Sequence, residues 1–104
     1  MNDDPGKTSG KFEPLAVPPP ALEQGGYEVL RAVISEGQLH VSLRRAFDEP
    51  ETWGILLADI ARHLGRIYAR EASMREDQVV EKVWAMFEAE MDRATDIGTT
   101  SSVS

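Results

Sequence analysis

The stretch from Asp48 to Glu71, DEPETWGILLADIARHLGRIYARE, constrains the fold most strongly because it predicts one long helix. Its large apolar residues recur at spacings of three and four, which is the period of an amphipathic helix. They are Trp53, Leu56, Leu57, Ile60, Leu64, Ile67 and Tyr68. Asp48 is predicted to cap the helix start and Glu51 to complete a capping box, with Pro50 in the first turn.

A line of small residues runs beside that apolar stripe on the same helix. It consists of Gly54, Ala58, Ala61, Gly65 and Ala69. Glycine inside a helix costs about 0.5–1 kcal/mol relative to alanine, so two glycines on one line indicate that another backbone comes close. Either the chain's own second helix or a partner subunit packs there. The first four residues of the line are therefore candidate interface residues.

A β-hairpin is predicted before the helix. The strand-like runs at residues 27–34 and 39–47 flank Glu36-Gly37, where glycine suits the positive φ of a two-residue turn. This turn sets a register in which the period of two brings all the apolar partners to one face. The predicted pairs are Ile34 with Leu39, Ala32 with Val41, and Leu30 with Leu43. The other face is mixed and carries Val29, Arg31, Val33, His40, Ser42 and Arg44.

A second helix is predicted to begin after Ser73, with Glu76 completing a capping box, and to run to about Ala94. Its buried stripe would be Val79, Val80, Val83, Trp84, Met86, Phe87 and Met91. The predicted fold class is α+β, an antiparallel β-hairpin packed against two α-helices in the order β-β-α-α. Residues 26–95 would form this single domain. A proline-containing irregular segment at residues 1–25 precedes it and a disordered tail at 96–104 follows.

A hairpin of two strands needs a further partner, because two strands alone are only marginally stable in water. The third strand comes either from the region before Gly25 or from a second copy of the chain. We therefore predict a homodimer, with Val29 and Val33 of the open hairpin face among its contacts. Arg31 and Arg44 would then meet acids of the facing chain.

Composition narrows the classes of function. The chain has 104 residues, a formal net charge of −7 and no cysteine. Without cysteine there is no disulfide, thiolate metal site or cysteine nucleophile. An acidic chain without a basic stripe is a poor candidate for binding nucleic acid or anionic membranes. There is no signal peptide pattern or membrane-length apolar run, so we expect a cytoplasmic protein, and no motif predicts a cofactor.

Two small groups of polar residues are the candidates for chemistry. Asp59 and His63 stand four residues apart on the polar side of the helix, where a carboxylate can orient an imidazole. A solvated charge pair is the favoured interpretation of this spacing, and two ligands are too few for a metal site. Arg31, His40 and Arg44 share the mixed hairpin face and are candidate ligands of a small anion.

The function predicted from these features is a non-enzymatic interaction or regulatory module that self-associates. It would act through its apolar surfaces or its proline segment, and it could also bind another protein. Binding of a small anionic ligand through Arg31, His40 and Arg44 is the alternative.

Two motifs resemble a known family. They are GQLHVSLR at Gly37–Arg44 and DEPETWGILLADIARH at Asp48–His63. Together they resemble a small bacterial family classed as a domain of unknown function, over the stretch from Leu15 to Met91. The resemblance implies an α+β fold and a small cytoplasmic protein. That family carries no established activity, so the resemblance implies no role for any residue.

Overall fold

The computed structural model describes residues 10–93 and 98–103. Its elements are α1 Pro19–Gln24, β1 Leu30–Ser35, β2 Gln38–Arg44, α2 Thr52–Glu71, α3 Glu76–Asp92 and β3 Thr99–Val103. The chain divides into two compact units. The sheet unit contains α1 and the three strands, and the helical unit contains α2 and α3. The α+β class predicted from the sequence is confirmed.

The hairpin of β1 and β2 has the predicted register. Ile34 pairs with Leu39, Ala32 with Val41, and Leu30 with Leu43, in antiparallel orientation. Both turn residues have positive φ, 54° at Glu36 and 76° at Gly37. Two successive positive φ values define the turn type whose twist matches that of the flanking strands. Gly37 therefore fixes the register, and the register fixes which side chains share a face.

The third strand comes from neither of the two predicted sources. It is β3, which pairs with β2 in parallel, from His40 with Thr99 to Arg44 with Val103. The sheet is therefore mixed, not purely antiparallel, with strand order β1-β2-β3. This corrects the predicted order β-β-α-α and the disordered tail predicted over these residues. This strand was not predicted because it is short and four of its five residues are Thr or Ser, which give little apolar pattern.

The segment before β1 is not wholly irregular, since α1 forms one short helix within it. Its prolines lie in the first turn, where a missing amide costs no hydrogen bond. Gly25 ends it with a φ of 82°, and its amide donates to the Ala21 carbonyl. The predictions for residues 1–9 and for the end of the second helix at Ala94 lie outside the described residues. The domain boundaries near residues 25 and 95 stay predictions.

The start of α2 differs from the predicted capping box. The helix begins at Thr52, and neither Asp48 nor Glu51 caps it through a side-chain hydrogen bond. Backbone turns satisfy the first amides instead, because Thr52 N donates to Glu49 O at 3.1 Å. The ring of Phe47 packs edge-on against Trp53, with centroids 5.4 Å apart. This aromatic contact fixes how the chain enters the helix.

The predicted capping box of α3 is also wrong. The helix begins at Glu76 and its cap position is Arg75, without a side-chain capping bond. Ser73 has a φ of 57°, so it occupies the left-handed region and belongs to the turn between the helices. Asp77 accepts a hydrogen bond from the amide of Gln78 at 2.9 Å, which places a carboxylate in the first turn.

The two long helices meet at Gly65. A Cβ at this position would lie 3.1 Å from the carbonyl oxygen of Glu76 and 3.2 Å from a methyl of Val80. Glycine suits this approach, because a Cβ at these distances would force the neighbouring atoms of α3 to shift. Among the described residues, Val79 is the one large apolar side chain that is buried, at 4% exposure. The close contact of α2 with α3 therefore buries little of either predicted stripe.

Candidate functional site

Arg31 and Arg44 come together at the open end of the hairpin, where they line a depression of about 160 Å³. Both donate to one residue. Arg31 Nη2 donates to the Glu28 carboxylate at 3.0 Å, and Arg44 Nε donates to the Glu28 carbonyl oxygen at 3.2 Å. The carboxylate already neutralises Arg31, so an incoming anion would compete with Glu28.

Two aromatic rings hold these guanidinium groups in place. Arg31 lies 5.4 Å from the ring centroid of Phe12, and Arg44 lies 5.1 Å from that of Tyr27. Such cation–π contacts contribute about 0.5–1 kcal/mol at exposed sites. Reasoning from the sequence missed Glu28, Phe12 and Tyr27. The available signal was an acid and an aromatic residue directly before a strand that carries an arginine.

His40 does not line this depression. Its Nδ1 is hydrogen-bonded to the hydroxyl of Thr99 on β3. The bond links β2 to β3 at the first pair of their parallel register. The structure therefore brings together two of the three residues predicted to bind an anion and gives the third a contact between strands. Anion binding by the set of three stays a prediction.

Asp59 and His63 each contact an arginine. Arg62 pairs with Asp59 at 3.0 Å, and Arg66 Nη1 is 3.2 Å from His63 Nδ1. This is the arrangement of a solvated helix surface. Within residues 10–93 and 98–103, no group of three or more acids and histidines is placed to hold a metal ion.

The predicted line of small residues has two different environments. Gly65 is buried against α3 of the same chain, and Ala61 one turn earlier is half-buried. Gly54 and Ala58 are exposed, and a Cβ at Gly54 would meet no atom within 4 Å. The chain's own second helix thus explains the C-terminal part of the line. A subunit contact at Gly54 and Ala58 stays a prediction.

The two valines predicted on the open hairpin face are both half-buried. Val29 lines the depression between the arginines, and its carbonyl oxygen accepts a hydrogen bond from the Arg44 amide at 2.9 Å. Val33 lies opposite His40 in the hairpin. Their role in a subunit interface stays a prediction.

The outer stripe of α3 consists of Trp84, Phe87 and Met91, spaced by three and four residues, and it is exposed. Trp84 is 58% exposed and Met91 is 72% exposed. The rings of Trp84 and Phe87 stack with centroids 5.7 Å apart and an angle of 19° between their planes. The sequence predicted these side chains to be buried. Within the described part of the chain that prediction is wrong.

A second stripe of the same kind lies on α2. Leu57, Ile60, Ile67 and Tyr68 are exposed, and all four belong to the apolar stripe predicted to be buried. Trp53, Leu56 and Leu64 of the same stripe are half-buried. Each long helix therefore presents a row of large apolar side chains to solvent.

Comparison with known proteins places the chain in a family. The family model for the domain of unknown function DUF5076 matches residues 14–95. The chain belongs to this family. No curated protein sequence matches this DUF5076 chain. No helix within the described ranges has the length and apolar character needed to cross a membrane.

One solved structure is similar to the DUF5076 chain over nearly its whole length. It is described as "a putative pyruvate dehydrogenase from the photosynthetic bacterium Rhodopseudomonas palustrus CGA009". The two sequences are 43% identical, and the match covers 91% of this chain and 99% of the other. The TM-score is 0.70, so the two folds agree.

Proposed function

We propose that this DUF5076 chain is a small non-enzymatic interaction module that acts by self-association, as a homodimer. The observation that carries the proposal is the exposure of the apolar stripes on both α2 and α3, while Val79 is the one buried large apolar side chain among the described residues. Soluble monomers rarely expose contiguous apolar surface of this kind. Covering it contributes about 25 cal/mol for each Å² removed from water.

The geometry of the α3 stripe suits a helix-to-helix contact. Trp84, Phe87 and Met91 recur at i, i+3 and i+7, which is the spacing of anchors that one helix presents to a groove or to another helix. A homodimer with two-fold symmetry covers such a stripe with the same stripe of the second copy. The exposed stacked pair of Trp84 and Phe87 supplies the large aromatic area that dominates the energy of such contacts.

The substitution Trp84→Glu tests this proposal. We expect it to convert the dimer to a monomer in sedimentation velocity at micromolar concentration. It removes a large apolar side chain from the contact and places a charge there. A change of about 3 kcal/mol in association raises the dissociation constant about a hundredfold. Helix content measured by circular dichroism should stay unchanged, because Trp84 lies outside the contact of Gly65 with α3.

The matched control is Ala85→Glu. Ala85 is exposed and lies on the same face as Glu81 and Glu88, so this variant adds the same charge to the same helix on its polar side. The dimer should persist in this variant. Equal dissociation in both variants would show that added charge, and not the loss of the apolar stripe, separates the copies, and it would contradict the proposal.

The alternative function is binding of a small anion, supported by the two arginines that line one depression. We expect inorganic phosphate at millimolar concentration to produce no saturable change in the NMR signals of Arg31 and Arg44. The reason is that the Glu28 carboxylate already occupies Arg31 at 3.0 Å. Chloride at equal ionic strength is the control. A saturable change that Arg44→Ala abolishes would favour the anion-binding function instead.

The name of the similar structure brings no residue roles to this chain. Our proposal rests on the apolar stripes alone.

A further inference from the structure

The outer edge of β1 has three backbone positions that no described strand pairs. β1 is a terminal strand of the sheet and has β2 on one side only. The amide of Arg44 donates to Val29 O, so these two residues form a hydrogen-bonded pair. From there along the hairpin, hydrogen-bonded and non-hydrogen-bonded pairs alternate. In an antiparallel ladder this alternation directs Leu30, Ala32 and Ile34 away from β2. Their amides and carbonyls therefore face outward.

The edge lacks the features that protect terminal strands from pairing. Such strands usually carry proline, lysine, a bulge or an inward-pointing charge. β1 is LRAVIS, with one charge, Arg31, whose carboxylate partner is Glu28. Ala32 and Ile34 are exposed, and Ile34 is 49% exposed. Phe12 contacts the Arg31 side chain, and no backbone hydrogen bond joins the described residues before Gly26 to this edge.

We propose that the edge of β1 pairs with β1 of a second copy, so that two sheets of three strands join into one sheet of six. This inference rests on the proposed self-association and names a surface that takes part in it. The sequence of β1 fits itself in one antiparallel register. Ala32 lies opposite Ala32 of the copy, and Leu30 lies opposite Ile34. All three outward positions of each copy then pair, which gives about six backbone hydrogen bonds across the two-fold axis.

Charge and length select this register over its neighbours. A shift by two residues one way places Arg31 opposite Arg31 of the copy, and like charges directly opposite each other are destabilising. A shift the other way places Leu30 opposite Glu36, a turn residue with a φ of 54° that cannot continue a strand. In the central register Arg31 lies opposite Val33. The apolar side chains of positions 30, 32 and 34 then form one continuous face across both copies.

The substitution Ala32→Pro tests the inference. Its amide faces away from β2, so proline removes no hydrogen bond within the hairpin, and edge strands accept proline at such positions. It removes both amides of the central pair and blocks the approach of the copy. Each lost bond costs about 0.5–1.5 kcal/mol, so we expect the dissociation constant of the dimer to rise about 10- to 100-fold. Ala32→Val, which keeps the amide and favours strand, is the matched control and should leave dimerisation intact.

Amide hydrogen exchange on the unmodified protein gives a second readout that needs no variant. Leu30, Ala32 and Ile34 should be protected in the dimer and lose protection on dilution, while Arg31 and Val33 stay protected by β2. Free exchange of the three edge amides in the dimer would overturn the edge pairing. An unchanged dimer mass in the Ala32→Pro variant would overturn it as well. Either result leaves the proposed self-association standing. A chain that is monomeric throughout overturns both.

Discussion

Gly65→Val should destabilise the protein by about 2–3 kcal/mol, because it forces a branched side chain into the contact between α2 and α3. The Cβ alone would lie 3.1 Å from the Glu76 carbonyl oxygen and 3.2 Å from a Val80 methyl. The Glu76 backbone belongs to the first turn of α3, so it moves only if that helix moves. Urea unfolding at one fixed protein concentration measures the change, since self-association would otherwise alter the apparent stability.

Gly54→Ala is the matched control on the same helix. A Cβ there meets no atom within 4 Å, so the substitution gains helix propensity without a clash. We expect a gain of about 0.5–1 kcal/mol. Similar losses of stability in Gly54→Ala and Gly65→Val would contradict the assignment of the close contact to Gly65. If Gly54→Ala instead lowers stability, and the loss of stability grows with protein concentration, a partner backbone lies at Gly54.

Gly98→Ala is the second substitution with a large expected effect. It should either release β3 from the sheet or lower the free energy of unfolding by about 2–4 kcal/mol. Gly98 has a φ of 70°, which costs an L-residue about 1–2 kcal/mol. A Cβ there would also come closer to the Leu39 carbonyl oxygen than real Cβ atoms do, and overpacking adds about 1–3 kcal/mol. Faster amide exchange along β3 and the facing edge of β2, with unchanged exchange in α2, would report the release.

The control for this substitution is Gly37→Ala. Gly37 has nearly the same φ, 76°, and a Cβ there meets nothing within 4 Å. It therefore isolates the backbone cost, about 1–2 kcal/mol, from the steric cost at Gly98. Equal effects at both glycines would show that the Leu39 carbonyl oxygen does not restrict Gly98, and would contradict the expected steric cost.

The elements that the sequence predicts well are those with local causes. The hairpin register follows from a period of two and from Gly37 in the turn, both of which act between neighbours in the chain. The two long helices follow from apolar spacing in the same way. Their starts were misplaced because Asp48 and Ser73 suit a cap locally. The backbone instead forms turns over 49–51, and Ser73 takes a φ of 57°.

β3 could not be predicted because its cause is not local. Its residues, Thr99–Val103, carry little apolar signal, and they form a strand by pairing with residues about sixty positions earlier. The site near Arg31 and Arg44 was predicted only in part, because some of its contacts also have causes that are not local. A period of two places both arginines on one face, but the contact of each with Glu28 depends on how the chain turns before β1.

Burial was the least predictable property. The spacing of Trp84, Phe87 and Met91 defines an apolar stripe, yet the stripe does not specify whether the same chain or a second copy covers it. The sequence reasoning assigned it to the chain's own core. These side chains are exposed in the structure, and the proposed function assigns them to the contact with a second copy.

Light scattering behind a sizing column, on the unmodified protein at tens of micromolar, tests self-association most directly. One chain has a mass of 11.5 kDa, and the proposed dimer predicts a mass about twice that value across the peak. A uniform mass of 11.5 kDa at this concentration would mean that the exposed stripes of α2 and α3 carry no second copy, and it would contradict the proposed function.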